Sequence, residues 1–328
     1  MRMRAVVISE HSGPASITIR DVEEPGSTHE LGGPVVALDV HAAGVSFPEL
    51  LQTRGLYQHS PDLPFVPGLE AAGVIREAPP GSGFAVGDRV MAFTNVGGQA
   101  QIAIAPAAMT FALPDGMDFA EGAATILNMH TAYFALAMRG RLQPGETVVV
   151  HGAAGGLGSC LVSIAAAQGA QVVAVVSTGH KADFAREAGA HHAVLADDHW
   201  AASVREIAPG GVDIVCDPVG GDRTTDSLRL LRTQGRYVVL GFTAGDIPQV
   251  RVNRLLLNNL DVVGAGWGAF VRQDPVAFRA IGDAVGQLLE QGVRPKVGHR
   301  VPLDGAITAY ELLESRQALG KVVLEFPR

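Results

Sequence analysis

The chain has 328 residues, more than one hydrophobic core usually organises, so two domains are expected. An apolar fraction of 47% excludes a disordered chain, and a formal net charge of −8 argues against a nucleic-acid partner, which would need a basic patch. The start, MRMRAVVIS, reads as a short strand without the long apolar segment and cleavage site of a signal peptide, so a cytoplasmic chain is expected. The two cysteines, Cys160 and Cys216, lie in a predicted helix and a predicted strand and read as small core residues.

Residues 1–120 read as mostly β. Strand-like runs occupy 4–9, 16–21, 34–42, 73–77, 89–93 and 100–104, separated by Gly/Pro turns such as Pro79-Pro80-Gly81. One or two helical turns are expected over 47–53. Many short strands with this punctuation predict a barrel-like β domain. Residues 119–139 predict one long helix with Asp118 as N-cap and Gly140 as C-cap.

From 146 onward the pattern changes to strand–helix alternation. Residues 147–150 form a β-branched run, 152–158 a glycine-rich turn, 157–165 a helix stopped by Gly169, and 171–176 a second strand. Glycines and His151 interrupt the apolar run 147–176, so it predicts a buried α/β core and no membrane span. Helices over 181–188, 200–207, 224–231 and 275–291 alternate with strands over 193–195, 212–217, 236–240 and 260–264, and 321–326 is a last strand. This spacing predicts a doubly wound parallel sheet.

Ala153, Gly155 and Gly158 occupy the three positions of a G-x-G-x-x-G fingerprint, with alanine in the first. The middle glycine lets a pyrophosphate approach the backbone, the last lets helix and strand pack closely, and the helix N-terminus faces the phosphates. Gly156 and Leu157 complete the turn. A carboxylate on the ribose would be expected about 20 residues further on in an NAD-specific fold. The second strand instead ends Ser177-Thr178-Gly179-His180-Lys181, whose hydroxyls and lysine fit a 2′-phosphate, so NADPH is the expected cofactor.

The stretches HAAGVSFPELLQTRGLY (41–57), PFVPGLEAAGVI (64–75), GFAVGDRVMAF (83–93), LPDGMDFAEGAA (113–124) and GKVVLEF (320–326), together with the turn, carry a resemblance. The chain resembles the zinc-free quinone oxidoreductases of the medium-chain dehydrogenase/reductase superfamily, the ζ-crystallin-like proteins. The resemblance implies an α/β protein: a GroES-like β-barrel-type catalytic domain from 1–122 and 268–328, around a Rossmann domain from 123–267. The active site is expected in the cleft.

Zinc enzymes of this superfamily carry a Cys after the first Ala-Gly stretch and a His in a Gly-His-Glu run. Here Ser46 follows AAGV, Leu69 stands in Gly68-Leu69-Glu70, and no cysteine precedes Cys160, so no metal is expected. Lone histidines such as His41, His130 and His151 read as structural, and Glu70 as a holder of backbone or of an arginine. The resemblance further places Ser46, Asn128, Thr131, Gly241-Phe242-Thr243, the loop Gly266-Trp267-Gly268 and Lys321 near the cofactor. Without a metal, hydride transfer to an electron-poor acceptor remains feasible, with Tyr57 as first candidate proton donor and Ser46 as second. The leading expectation is an NADPH:quinone oxidoreductase. Reduction of activated C=C bonds in an enal, enone or enoyl thioester is the alternative enzyme, and a non-catalytic NADPH-binding protein the alternative class. A homodimer through strand 260–264 is expected, because an unpaired apolar sheet edge is usually covered.

Overall fold

The computed structural model describes residues 1–59 and 61–327. It divides into two compact units, one of Met1–Leu127, Asp274–Asp283 and Lys296–Arg328, the other of Asn128–Gln273 and Ala284–Pro295.

The first unit is built on one long strand, Val35–Val45. Ile102–Pro106 pairs antiparallel with its first half, Lys321–Glu325 with its last four residues, and Glu70–Glu77 along its other edge. Arg89–Phe93 and Thr110–Ala112 extend the sheet beyond Glu70–Glu77, and Val297–Pro302 beyond Lys321–Glu325. Arg2–Ile8 and Ile17–Glu23 form a separate hairpin. Val6, Ile8, Val40, Phe65, Tyr310 and Leu324 share the main core. Strand Val297–Pro302 and helix Ala306–Glu314 have no counterpart in the sequence reading. The strand is an edge whose exposed face carries Gly298, Arg300 and Pro302, which hides the apolar pattern.

The predicted long helix is broken. Phe119–Gly122 ends after one turn, Ile126–Tyr133 begins anew, and Phe134–Arg139 is a π-helical turn. Asp118 does cap the first piece, accepting the Glu121 N–H at 2.9 Å. The restart has a tertiary cause. The Glu70 carboxylate accepts the Leu127 N–H at 2.8 Å, a cap supplied from a strand far away in sequence.

The second unit holds six parallel strands in the order 192–195, 171–176, 147–151, 212–217, 231–239, 261–264. Numbered along the chain this is 3-2-1-4-5-6, the doubly wound Rossmann order, whose switch point lies between the first and fourth strands. Val148, Val149, Val150, Val172, Val173 and Val215 are fully buried, as strands covered on both faces require. Among the described residues, no helix is long and apolar enough to cross a membrane.

Candidate functional site

The glycine turn leaves strand Thr147–His151 and enters helix Gly156–Ala167. Its glycines have different tasks. A Cβ at Gly158 would sit inside the Gly152–Ala153 backbone, so this position makes room for the protein's own chain. A Cβ at Gly155 would meet only the Gly152 carbonyl oxygen, at 3.4 Å, so the protein leaves the space beside it open to a ligand. Ala153, in place of the first glycine, is fully buried. Gly156, Leu157 and Gly158 form the first turn of the helix, whose N–H groups lack intrahelical acceptors. This cradle fits a dinucleotide pyrophosphate.

Ser177 and Thr178 are exposed at the end of the second strand. Thr178 caps helix Gly179–Glu187 by accepting the Lys181 N–H at 3.3 Å. Partial burial lowers the Lys181 ammonium pKa. Asn128 and Thr131 lie three residues apart on helix Ile126–Tyr133. Gly241-Phe242-Thr243 follows strand Leu231–Val239 and bonds back to the loop after strand Val212–Asp217, through Thr243 N–H to the Pro218 carbonyl at 3.2 Å. The glycine turn, the 177–181 segment and the 217–220 and 241–244 loops thus gather at the carboxyl ends of one parallel sheet. Of the expected loop Gly266-Trp267-Gly268, Gly266 lies outside regular structure while the other two residues are helical. Trp267 opens helix Trp267–Gln273 and is a core residue, edge-on to His130 with ring centroids 5.7 Å apart.

The sequence reading missed Asp217. Its carboxylate accepts the Val219 and Gly220 N–H groups at 2.7 and 2.9 Å and the Tyr237 hydroxyl. The Tyr237 oxygen also meets the Thr224 hydroxyl at 3.0 Å, so one buried network fixes both ends of the loop. The signal was Asp-Pro-Val-Gly directly after an apolar strand. Two of the lone histidines are buried in the second unit: burial pushes His130 down to about 3 and keeps His151, bonded to the Ser227 hydroxyl at 2.9 Å, neutral. Cys160 and Cys216 are buried and make no disulfide, and burial pushes the Cys216 thiol up to about 12.

In the first unit, four buried polar side chains meet. The Lys321 ammonium donates to Ser46 Oγ and, at 2.5 Å, to Glu70 Oε1. Glu49 accepts the N–H groups of Ser46 and Leu69, each at 3.1 Å. Ser46, Glu49, Glu70 and Lys321 are 7%, 0%, 0% and 2% exposed. Glu70 holds backbone, as expected, but its cationic partner is a lysine, not an arginine. Burial raises Glu49 to about 7, against the opposing pull of the Lys321 charge and of backbone N–H groups including that of Leu69. A Cβ at Gly44 would lie 2.7 Å from Glu70 Oε1 and 2.8 Å from Lys321 Cε, so the Ala-Ala-Gly run exists to admit this network. Leu69 is buried, and among the described residues no group of three His, Cys, Asp or Glu could hold a metal ion. Tyr57 is half-buried beyond helix Phe47–Gln52, edge-on to His59 at 6.2 Å.

A mainly antiparallel GroES-like β unit with a Rossmann unit and its glycine cradle defines a medium-chain dehydrogenase/reductase. The family models agree: residues 33–115 match the alcohol dehydrogenase GroES-like domain and 156–281 the zinc-binding dehydrogenase model. The chain is 34% identical to quinone oxidoreductase-like protein 2 of Rattus norvegicus, over 98% of this chain and 91% of that protein. A probable oxidoreductase from Mycobacterium abscessus superposes with a TM-score of 0.90 at 41% identity, covering 99% of both chains. The quinone oxidoreductase of Thermus thermophilus, solved also in complex with NADPH, gives 0.83 at 33% identity, over 98% of this chain and 100% of that one. The chain belongs to the quinone oxidoreductase family of medium-chain dehydrogenases/reductases and is an oxidoreductase.

Proposed function

We propose that this oxidoreductase uses NADPH to reduce a quinone and needs no zinc. One observation carries the zinc-free reading: the Lys321 ammonium, held by Ser46 and Glu70, already supplies the buried positive charge in the motif region where zinc enzymes place their ligands. The cofactor reading is supported by the open cradle at Gly155, by the acid-free segment Ser177–Lys181, and by the NADPH complex of the Thermus thermophilus neighbour.

Ala153 and Gly155, Gly156, Leu157 and Gly158 would hold the pyrophosphate. Ser177, Thr178 and Lys181 would hold the 2′-phosphate, and Asn128, Thr131, Gly241, Phe242, Thr243, Gly266, Trp267 and Gly268 would border the nicotinamide half. Bound NADPH supplies the hydride. Tyr57 is proposed to deliver the proton, with Ser46 as second donor. The Ser46 oxygen accepts from Lys321, so its own hydrogen remains available to a substrate oxygen. Lys321 then acts by orienting that hydroxyl. Without a Lewis acid the acceptor must be electron-poor, which favours a quinone over a simple ketone.

The test is NADPH oxidation by zinc-assayed protein against a panel of quinones and enones. Turnover of quinones without stoichiometric zinc is expected. Turnover of enones alone would move the assignment to C=C reduction, and NADPH binding with no turnover would leave a cofactor-binding protein. Activity lost to a chelator and restored by zinc would overturn the metal-free reading.

The reading includes a homodimer. Strand Asp261–Gly264 is an outer strand of the parallel sheet, with Val262 exposed. Helix Asn253–Asn258, just before it in the chain, leaves Leu256 and Leu257 78% and 75% exposed, a cluster that a second copy would cover. Light scattering at micromolar concentration is expected to give twice the chain mass; a monomer would exclude the dimer.

A further inference from the structure

We propose that Arg223 is a second cationic reader of the 2′-phosphate, acting with Lys181; this rests on the NADPH reading above. The guanidinium is placed by the fold beside the end of the second strand. Strands Gln171–Val176 and His192–Leu195 are paired in parallel with Leu195 opposite Val176, and the Ala196 N–H continues the ladder to the Val176 carbonyl at 2.8 Å. Arg223 donates from Nη2 to the Ala196 carbonyl at 3.2 Å, which sets it next to the strand end that continues into Ser177. Its charge also reaches His151, at the end of the first strand, and helps to keep that ring neutral.

The loop that carries Arg223 is held from both sides. Gly220 and Gly221 turn the chain with φ of +70° and +69°, a conformation other residues resist. Asp217 binds the Val219 and Gly220 N–H groups before Arg223, and the Thr224 hydroxyl meets Tyr237 directly after it. Arg223 is half-buried and makes no ion pair with any carboxylate among the described residues. A half-buried guanidinium held by one carbonyl keeps further N–H donors for an anion, and its planar fork suits phosphate. The nearby Asp197 carboxylate is engaged by the His199 N–H at 2.8 Å. Asp198 and Asp222 are exposed, where solvent screens their repulsion.

The experiment is calorimetric binding of NADPH and NADH to the full chain and to Arg223→Ala, Arg223→Lys and Lys181→Ala, with thermal midpoints recorded to confirm folding. Wild-type protein is expected to bind NADPH at least tenfold more tightly than NADH. Arg223→Ala should weaken NADPH by about tenfold, the effect of one charge-assisted hydrogen bond, and change NADH less than twofold. Lys181→Ala should do the same, and Arg223→Lys should recover part of the loss. A parallel pair of probes, 2′,5′-ADP and 5′-AMP, gives the same comparison without the nicotinamide half. Wild-type preference for NADPH with an unchanged or equally weakened pair in Arg223→Ala would overturn the role of Arg223 alone. Equal wild-type affinities would instead overturn the NADPH reading, and Arg223 with it.

Discussion

Glu70→Ala is expected to destabilise the protein by about 3–5 kcal/mol, because it strands a buried ammonium. The Lys321 and Glu70 side chains are 3% and 0% exposed and form an ion pair at 2.5 Å. Such a pair gains little net stability over a well-packed apolar replacement, since both charges have left water. Removing one partner is different: the other charge stays buried without compensation. Glu70→Ala also removes the acceptor of the Leu127 N–H, the cap at the restart of the helix. Lys321→Met should cost less, because Glu70 would keep its backbone donor. The double variant Glu70→Ala/Lys321→Met should be more stable than the sum of its singles, as expected for residues in one network. Denaturant titration of the four proteins checks this. A loss below about 1 kcal/mol for Glu70→Ala would mean that water reaches the ammonium and that the site is not dry.

Gly158→Ala and Gly155→Ala should separate folding from cofactor binding. At Gly158 the new methyl would overlap the Gly152–Ala153 backbone, which has no flexible side chain to move. An overpacking cost of about 1–3 kcal/mol follows, with NADPH binding lost as the helix N-terminus is pushed off the turn. At Gly155 the backbone is extended, φ −84° and ψ 177°, and only the Gly152 oxygen is near. Gly155→Ala should therefore change stability by less than about 0.5 kcal/mol, yet weaken NADPH at least tenfold by filling the space left to the pyrophosphate. Thermal midpoints and calorimetric titration provide both readings. If Gly155→Ala bound NADPH normally, the pyrophosphate would have to lie elsewhere along the turn.

The sequence by itself determined the fold class and the cofactor turn, because both are local. Strands 171–176 and 212–217 and helix 200–207 were legible to the residue, since their β-branched runs and helical spacing coincide with what each buries. The glycine turn was legible because a strand, a tight turn and a helix start follow one another within a dozen residues. Serine and leucine at the zinc-ligand regions could be read directly. The broken helix at 119–139 could not, because its restart is set by Glu70, 57 residues before Leu127. Nor could the edge strand 297–302, whose alternation is carried by glycine, arginine and proline.

Only the tertiary structure decided what surrounds Ser46. Lys321 is 251 residues from Glu70 and 275 from Ser46. They meet because strand 35–45 is flanked by strand 70–77 on one edge and strand 321–325 on the other, which brings Glu70 and Lys321 together beside Gly44. No local periodicity encodes that meeting; it follows from which strands lie side by side. The same holds for Arg223, whose neighbour Ala196 lies 27 residues earlier and across a helix and a strand. Sequence patterning reports what one element buries, whereas the pairing of charges is set by the order of strands in the sheet.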